Sequence, residues 1–247
     1  KTEKALRESE EYFRSMIEKS SDLISVMDMD GVIRYISPSV DRILGYRPEE
    51  LIGLNGFSLV HPEDLERLSA REDYRKVLGV PGAQAPTVEL RDLHKDGTWR
   101  HLEYDARSLL DKDGRLIIIA NARDVTERKQ AEGLQNAVYQ IAHAADESPS
   151  LDDLFKSVHS GIRTVMPANN FYIALYDAVN DLISFPYFVD EVDAPPEPIK
   201  PGKGLTEHVI RTGKPLLCDE ATDAELRGRG EVEVVGAPSS VWLGVPL

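Results

Sequence analysis

Apolar runs and turn residues alternate through the first half of the chain in a pattern typical of short strands. Asp-Gly pairs separate neighbouring runs, and such pairs are typical of two-residue hairpin turns in which both central residues have positive φ. Because every local connection is then antiparallel, the pattern predicts a five-stranded antiparallel sheet. The predicted strands are residues 23–27, 32–36, 87–93, 99–110 and 115–122, with Asp-Gly pairs at 30–31, 96–97 and 113–114.

Helical spacing of apolar residues replaces this pattern between the second and third strands. It predicts short helices over 40–44 and 48–52 and a longer helix from Pro62 to Leu78. Pro48 and Pro62 suit first-turn positions, where a missing N–H group costs nothing. Another amphipathic helix is predicted over 4–19. Helices on one face of an antiparallel sheet give an α+β fold.

The last predicted strand leads directly into a helix over residues 125–146. Asp124 is a candidate N-cap and Glu127 follows three residues later, as in a capping box. We expect strand 116–122 to lie at the centre of the sheet and to form one continuous lever with this helix. Apolar residues three and four apart give the helix a stripe that can serve as a coiled-coil seam: Ala131, Leu134, Val138, Ile141 and Ala145.

A second α+β unit is predicted after Pro149. Ser150 is a candidate cap for a helix whose apolar stripe runs from Leu151 to Val165. We expect an antiparallel sheet with flanking helices, and we expect that sheet to be incomplete. The pattern predicts strands at 171–176, 182–189, 215–218 and from 241, helices at 205–211 and 221–228, and a stiff proline-rich loop at 193–203.

Charge and cysteine content narrow the classes of partner. The chain has 43 acidic and 29 basic residues and a net charge of −14, which disfavours nucleic acid and anionic membranes. No apolar run approaches the roughly 20 residues that span a bilayer, so we expect no membrane contact in this fragment. The single cysteine, Cys218, suits a reducing compartment, and we expect a cytoplasmic location. We interpret the sequence as a fragment of a longer protein.

Several short motifs of the first unit occur in the order found in PAS domains that carry a C-terminal PAC half. They are Tyr12-Phe13-Arg14, Asp22-Leu23-Ile24, Asp30-Gly31, Tyr35-Ile36-Ser37-Pro38-Ser39, Leu44-Gly45-Tyr46, Glu50-Leu51-Ile52-Gly53, His61-Pro62-Glu63-Asp64, Lys95-Asp96-Gly97-Thr98-Trp99-Arg100 and Asp124-Val125-Thr126-Glu127-Arg128-Lys129. The first unit therefore resembles a PAS/PAC (sensory box) domain. The resemblance implies a PAS fold over 21–126, a five-stranded antiparallel sheet with helices on one face, after an N-terminal helix at 1–20.

The second unit resembles a GAF domain. The residues that carry this resemblance are the paired helices at 134–166, strand Phe171–Tyr176, Pro201-Gly202-Lys203-Gly204-Leu205-Thr206, Thr212-Gly213-Lys214-Pro215-Leu216 and Trp242-Leu243-Gly244-Val245-Pro246-Leu247. It implies a GAF fold over 134–247 that is incomplete at its C-terminus. A linker (signalling) helix over 127–146 joins the two units and continues into the second.

These two resemblances imply a sensory input fragment of a signal-transduction protein. It would sense a small ligand, a redox change or another cue and relay it through the helical linker to an output domain outside these residues. The parent would then be a sensor histidine kinase or a diguanylate cyclase, with no catalysis in this fragment. A dimerisation scaffold with empty pockets is the remaining alternative. We expect a homodimer through helices 4–19 and 125–146.

The sequence leaves the cofactor unknown and disfavours three groups. Gly56 stands where flavin photoadduct proteins have cysteine, so no thiol adduct can form there. The segment from Asp64 to Leu78 has no histidine to ligate haem, and we expect a surface or capping role for His61. A covalent bilin is disfavoured because no histidine follows Cys218, which we interpret as a small buried thiol.

Other candidate chemistry in the sequence is weak. The six histidines, at 61, 94, 101, 143, 159 and 208, show no metal-ligand spacing, so no metal is expected. His143 lacks the context of a phospho-acceptor, and we expect it on a solvated helix face. The loop Pro201–Gly204 could bind an anion at a helix start, but we prefer a turn chosen for its backbone geometry.

Four residues are predicted to couple the sheet to the helix that follows it. Asp124 and Thr126 are expected to cap the helix and pin it to the preceding strand. Trp99 and Arg100 lie on the neighbouring strand, and Arg100 is a candidate ion-pair partner for Asp124. The hypothesis is that a change in the sheet shifts the helix through this joint.

Overall fold

The computed structural model describes residues 12, 15, 17, 20–148, 150–235 and 240–246. It divides the chain into two compact units, Lys1–Ala131 and Glu132–Leu247. The predicted helix over 4–19, and its proposed share in a dimer contact, lies outside the described residues except for Tyr12, Ser15 and Ile17, which are helical.

The first unit is built on a five-stranded antiparallel sheet, as predicted. Its strands are β1 (Leu23–Asp28), β2 (Ile33–Ile36), β3 (Val88–Leu93), β4 (Trp99–Leu110) and β5 (Leu116–Asp124). The strand order is β2-β1-β5-β4-β3, so β5 lies at the centre and pairs with β1 and β4. The central position predicted for this strand is therefore confirmed.

Helices between β2 and β3 cover one face of the sheet. They are α1 (Ser39–Leu44), α2 (Pro48–Leu51), a 3-10 turn (Gly56–Leu59), α3 (Pro62–Ser69) and α4 (Glu72–Leu78). The single long helix predicted over 62–78 is wrong, because the chain breaks between α3 and α4. At the break, the Ser69 hydroxyl donates to the carbonyl of Leu65, and Arg71 N–H bonds the nearer carbonyl of Leu68, which closes the helix with a tight turn.

The three hairpins form at the predicted Asp-Gly pairs, but their turns differ from the expected type. Only the glycine of each pair has positive φ, for example +82° at Gly31 and +74° at Gly114. The aspartate stays in the ordinary region because a side chain upstream organises the turn. Asp28 accepts hydrogen bonds from the N–H groups of Asp30 and Val32, as Asp111 does in the β4–β5 hairpin.

The helix-covered face of the sheet carries two adjacent hydrophobic clusters. One joins α3 and α4 to β3, β4 and β5, and includes Leu68, Leu78, Leu90 and Ile118. The other joins α1 and α2 to β1, β2, β4 and β5, and includes Leu23, Val40, Leu44 and Leu102. The side chains of Met27 and Tyr104 pack against both clusters. Tyr104 therefore lies where a change in one half of the core reaches the other.

Helix α5 (Thr126–Glu147) begins in the first unit and ends in the second. The second unit continues with α6 (Leu151–Arg163), β6 (Phe171–Asp177), β7 (Leu182–Val189), α7 (Leu205–Thr212), β8 (Leu216–Asp219), α8 (Glu220–Gly228) and β9 (Val241–Gly244). Ser150 caps α6 by accepting from Asp153 N–H, as predicted. No helix within the described ranges is both long and apolar enough to cross a membrane.

The strands of the second unit form two separate antiparallel ladders, β6–β7 and β8–β9, instead of the single sheet expected. The proline-rich segment after β7 supplies one physical reason. Within the segment 193–203, only Ile199 pairs with β7, through two hydrogen bonds to Ile183. Prolines at 195, 196, 198 and 201 lack the N–H groups that a longer ladder needs.

Candidate functional site

The joint between β5 and α5 is a short strand-to-helix connection held by backbone hydrogen bonds. A single residue, Val125, separates the last strand residue Asp124 from the first helical residue Thr126. Val125 is buried, its N–H donates to the carbonyl of His101 on β4 at 2.9 Å, and its own carbonyl accepts from Lys129. Strand pairing thus passes into helical hydrogen bonding without an intervening loop.

The structure corrects the predicted capping box. Asp124 still pairs with Leu102 in the β4–β5 ladder, so Val125 takes the N-cap position. The Asp124 carboxylate instead accepts from Thr126 N–H at 2.8 Å. Glu127 forms no hydrogen bond with Asp124 in the part of the chain that the structure describes. Asp124 therefore stabilises the helix start from one position earlier than the sequence suggested.

Thr126 fastens the start of α5 to the neighbouring strand. Its side chain is buried, and its hydroxyl oxygen accepts from the backbone N–H of His101 at 2.9 Å. Together with the Val125 bond, both backbone groups of His101 are thereby used by the joint. The sequence could not identify His101, because its contribution comes from the backbone and any residue type except proline could supply it.

Two acidic residues on β3 and β4 hold the first turn of α5 by charge. Glu89 and Glu103 are directly opposite in the β3–β4 ladder, where like charges repel. Arg128 lies 3.3 Å from Glu103 and 3.7 Å from Glu89, and Lys129 also pairs with Glu89. We call these four residues the charge clamp. Basic residues in a first helical turn oppose the helix dipole, and that sequence signal could have revealed it.

The structure separates the four residues predicted to couple sheet and helix. Asp124 and Thr126 lie at the joint, whereas Trp99 and Arg100 lie beyond the last β4–β5 pair, Leu102 with Asp124. Arg100 is opposite Asp92 in the β3–β4 ladder. Both Arg100 and Asp124 lie in the part of the chain that the structure describes, and their side chains form no ion pair there. Trp99 packs edge-on against His61, with 4.6 Å between ring centroids. The register of the ladder therefore contradicts the predicted Arg100–Asp124 ion pair.

A buried polar group lies on the helix-covered face of β3. Asp92 is 3% exposed, and the Tyr104 hydroxyl donates a hydrogen bond to its Oδ2 atom. Neither Asp92 Oδ1 nor the buried Arg100 Nε has a hydrogen-bond partner among the described residues. Burial raises the pKa of Asp92 to about 6, against the lowering effect of the Tyr104 hydrogen bond. Burial also raises the pKa of Tyr104.

A second buried carboxylate joins α3 to β3. Asp64 is 5% exposed and accepts three hydrogen bonds from Arg91, one from its backbone and two from its guanidinium. These bonds lower the pKa of Asp64 to about 2 despite its burial. His61 caps α3 by accepting from Glu63 N–H, so the capping role expected for it is confirmed.

Helix α5 has two apolar faces where it runs through the second unit. Ala137 is buried, and Ile141 packs closely against Gly161 of α6. Leu134 and Val138, from the stripe identified in the sequence, are 58% and 59% exposed. The helix therefore uses one face within its own unit and presents the other to solvent.

The candidate sites of the second unit are satisfied internally. Gly202 N–H in the predicted turn donates to the Glu207 carboxylate at 3.1 Å, so the chain's own carboxylate occupies the position considered for an anion. His159 is buried between the Ala168 carbonyl and the Tyr187 hydroxyl. Burial raises the pKa of the Cys218 thiol, as expected for a small buried hydrophobe. Within the described ranges, no three His, Cys, Asp or Glu residues are grouped to hold a metal.

Comparison with known proteins identifies the fold of the first unit. A family model described as the PAS fold matches residues 33–122. A methyl sulfide methyltransferase-associated sensor from Methanosarcina acetivorans is 34% identical over 134 residues, 53% of this chain and 13% of that protein. The White collar 2 protein from Neurospora crassa is 32% identical over 88 residues, 36% of this chain and 16% of that protein. The matches thus span less than a fifth of either relative's length.

Among solved structures, the PAS domain of an HTR-like protein from Haloarcula marismortui is 24% identical to this chain. The similarity has a TM-score of 0.42 and covers 50% of this chain and 97% of that one. The family match covers β2 to β5 except for the last two residues of β5, together with α1 to α4. Residues 33–122 therefore have the PAS fold.

Proposed function

We propose that this chain is the sensory input segment of a signal-transduction protein, in which the PAS domain detects a cue and helix α5 carries it onward. The observation that carries the proposal is the joint: the central strand of the sheet becomes α5 after one buried residue. Because both ends of that joint are bonded to β4, a shift of β4 or β5 changes the geometry at the helix start.

The relative from Methanosarcina acetivorans is named a sensor, which supports signalling as the class of function. The cue is a small ligand, a redox change or another input to the PAS core. The output domain is a histidine kinase or a diguanylate cyclase in the parent chain, and this segment is not itself catalytic. A cytoplasmic location belongs to the proposal, since a single buried cysteine suits a reducing compartment.

The second unit is proposed to be a GAF domain, on the motifs around Pro201, Thr212 and Trp242. Its ligand is open. A dimerisation scaffold with empty pockets is the competing function for both units. Native mass spectrometry of the purified chain separates the two, because a retained small molecule is incompatible with an empty scaffold.

The exposed stripe of α5 supports a homodimer, since Leu134 and Val138 repeat at the spacing of a helical seam. Sedimentation of Leu134→Lys/Val138→Lys should show loss of a dimer that the unmodified chain forms. Leu151→Lys is the matched control, because Leu151 is an equally exposed apolar residue at the start of α6. A monomeric unmodified chain, or a dimer that survives the double substitution, contradicts this seam.

The relay itself is tested at Thr126. Thr126→Val keeps the shape of the side chain but removes the acceptor for His101 N–H. Amide hydrogen exchange should become faster across the first turn of α5, and output of the parent protein should lose its response to the cue. Thr98→Val is the control, because that exposed threonine bonds only within its own hairpin. An unchanged response in the Thr126 variant, with faster exchange, would refute the relay.

A further inference from the structure

Asp92 and Tyr104 form an isolated polar pair inside the PAS core. The Asp92 carboxylate is almost completely buried, and one oxygen receives the Tyr104 hydroxyl while the other has no partner in the described structure. Buried carboxylates in folded proteins are ordinarily paired with a cation or fully hydrogen-bonded. A half-satisfied carboxylate at this position therefore calls for a functional explanation.

The charged groups around Asp92 do not neutralise it. Arg100 is opposite on β4, yet the two described side chains form no ion pair, and Arg100 Nε is itself without a partner. Arg91, the adjacent cation on β3, is committed to Asp64 on α3, and the negative charge of Asp64 acts on Asp92. Tyr74 on α4 faces Tyr104 and contributes no cation. His61, which precedes α3, is bonded to Glu63 N–H.

We propose that Asp92 is a proton-binding site of this PAS domain, and that the presence or absence of that proton is a cue which the joint between β5 and α5 transmits. The proton comes from solvent and adds to the unpartnered Oδ1, converting a buried carboxylate into a neutral carboxylic acid. The Tyr104 hydroxyl keeps its hydrogen bond to Oδ2 throughout. The second half of the proposal, transmission, rests on the proposed sensory function; the first half does not.

The burial of Asp92 places its titration near pH 6, within the range that cells and their surroundings reach. Desolvation is the main cause, the Asp64 charge adds to it, and the Tyr104 bond opposes it. A proton is also the smallest possible ligand, so it requires no cavity between the sheet and the helices. The geometry thus favours proton uptake over the binding of a larger group at this carboxylate.

A short path connects this pair to the joint. Tyr104 packs against both hydrophobic clusters, so a change in its hydrogen bond affects both halves of the core. It pairs with Ala122 on β5, two residues before Asp124. Three residues before Tyr104 on its own strand, the backbone of His101 bonds both Val125 and Thr126. The proton site and the helix start are therefore fastened to the same four-residue stretch of β4.

Infrared spectroscopy of the full chain tests the proton site directly. The carboxylic C=O band of a buried acid should grow as pH falls through a midpoint near 6. Asp92→Asn should lack this band, and Asp113→Asn, in an exposed hairpin turn, should keep it. A band that persists in Asp92→Asn, or no such band in the unmodified chain, overturns the proposal.

Tyr104→Phe provides a second variant with a predicted direction. The Tyr104 hydrogen bond stabilises the ionised carboxylate, so its removal should move the midpoint to higher pH. A midpoint that stays in place or moves to lower pH would exclude the geometry on which the site rests. Because Phe preserves the ring, the core packing of Tyr104 is retained and the variant should fold.

Transmission is tested at a pH well above the midpoint, where the unmodified chain is ionised. There, Asp92→Asn imitates the neutral acid and should alter the amide protection factors at 101–104 and 125–129, which are corrected for the intrinsic pH dependence of exchange. The change should have the direction that acidification gives these protection factors in the unmodified chain. If the band titrates but exchange at 125–129 does not respond, the proposed cue is overturned. The relay through the joint is tested separately by the Thr126→Val variant.

Discussion

Asp64 and Asp92 are two carboxylates of one PAS domain that both expose little surface, yet their pKa values move in opposite directions. Asp64 is 5% exposed and its pKa falls to about 2, whereas Asp92 is 3% exposed and its pKa rises to about 6. The difference lies in the partners and in the depth of burial: desolvation is the largest cause of the raised Asp92 pKa, whereas the Arg91 hydrogen bonds outweigh desolvation at Asp64. Arg91 gives Asp64 three hydrogen bonds and a positive charge, while Asp92 receives one neutral hydroxyl.

This comparison shows that burial alone does not decide what a carboxylate does. A buried acid with a complete set of donors is a structural connection, and Asp64 ties α3 to β3 in that way. A buried acid with an incomplete set exchanges protons near neutral pH. The two roles occur on adjacent elements here, so substitutions can test them separately in one protein.

The largest effect on the free energy of unfolding is expected for Arg91→Ala. This substitution removes both guanidinium bonds to buried Asp64 and leaves only Arg67, 3.2 Å from its Oδ1, as a counter-ion. Breaking a buried ion pair costs about 3–5 kcal/mol of unfolding free energy. Because the Arg91 side chain is partly exposed, the lower end of that range applies. Chemical denaturation at neutral pH measures it. The control is Arg34→Ala, which breaks the solvent-exposed pair with Asp28 and should leave the denaturation midpoint nearly unchanged.

The lowered pKa of Asp64 also predicts the direction in which stability changes in acid. Its folded-state pKa is depressed, so its stabilising contribution is present above the unfolded value of 3.8 and is lost as pH falls toward 2. Arg91→Ala should weaken that part of the acid dependence, because the backbone N–H at position 91 and Arg67 still stabilise the carboxylate. An unchanged acid transition in the variant would mean that another carboxylate, such as Asp96 with its pKa of about 2, controls it.

The next largest effect, an increase in the free energy of unfolding, is expected for Asp92→Asn. The folded-state pKa of Asp92 is raised, so the folded protein binds this proton more tightly than the unfolded chain between pH 3.8 and about 6. Stability from this group therefore falls as pH rises through that window. Above it, ionised Asp92 costs about 3 kcal/mol, because its pKa is about 6 in the folded protein against 3.8 in the unfolded chain. Asp92→Asn should be more stable than the unmodified chain at high pH.

Denaturation curves of both proteins across this pH range provide the measurement. The stability difference between Asp92→Asn and the unmodified chain should shrink as pH falls from about 6 toward 3.8. In that range Asp92 of the folded protein is a neutral acid, and the unfolded chain gradually becomes protonated as well. Asp113→Asn should follow the unmodified chain at every pH. A difference that is independent of pH would show that Asn acts through packing instead of charge.

The sequence was sufficient for the architecture of the first unit. Strand periodicity and Asp-Gly turns located all five strands, and the order of the PAS motifs predicted the fold that the family model matches over residues 33–122. It failed at the break between α3 and α4, because the interruption depends on a side-chain bond from Ser69 that leaves the helical spacing intact. It also failed to indicate two separate ladders in the second unit, since ladder length depends on which N–H groups find partners across the chain.

The candidate site was less accessible to sequence reasoning. Asp124 and Thr126 were identified correctly as residues of the joint, but the β4–β5 register places Arg100 opposite Asp92 instead of beside Asp124. Asp92 was not singled out, because its burial depends on tertiary packing and the sequence shows only an acid in a strand. Glu89 and Glu103 were missed because their opposition requires the exact register of β3 and β4.

The smallest effect on stability is expected in the charge clamp, an exposed counterpart of the Asp64–Arg91 pair. Glu89→Gln removes ion pairs with Arg128 and Lys129 but also relieves repulsion from Glu103, so unfolding free energy should change by less than about 0.5 kcal/mol. Amide exchange in the first turn of α5 should nevertheless become faster, because that turn loses its contact with β3. Glu72→Gln, which breaks an exposed pair within α4, should leave that exchange unchanged. A large stability loss without faster exchange would mean that Glu89 supports the sheet and does not hold the helix.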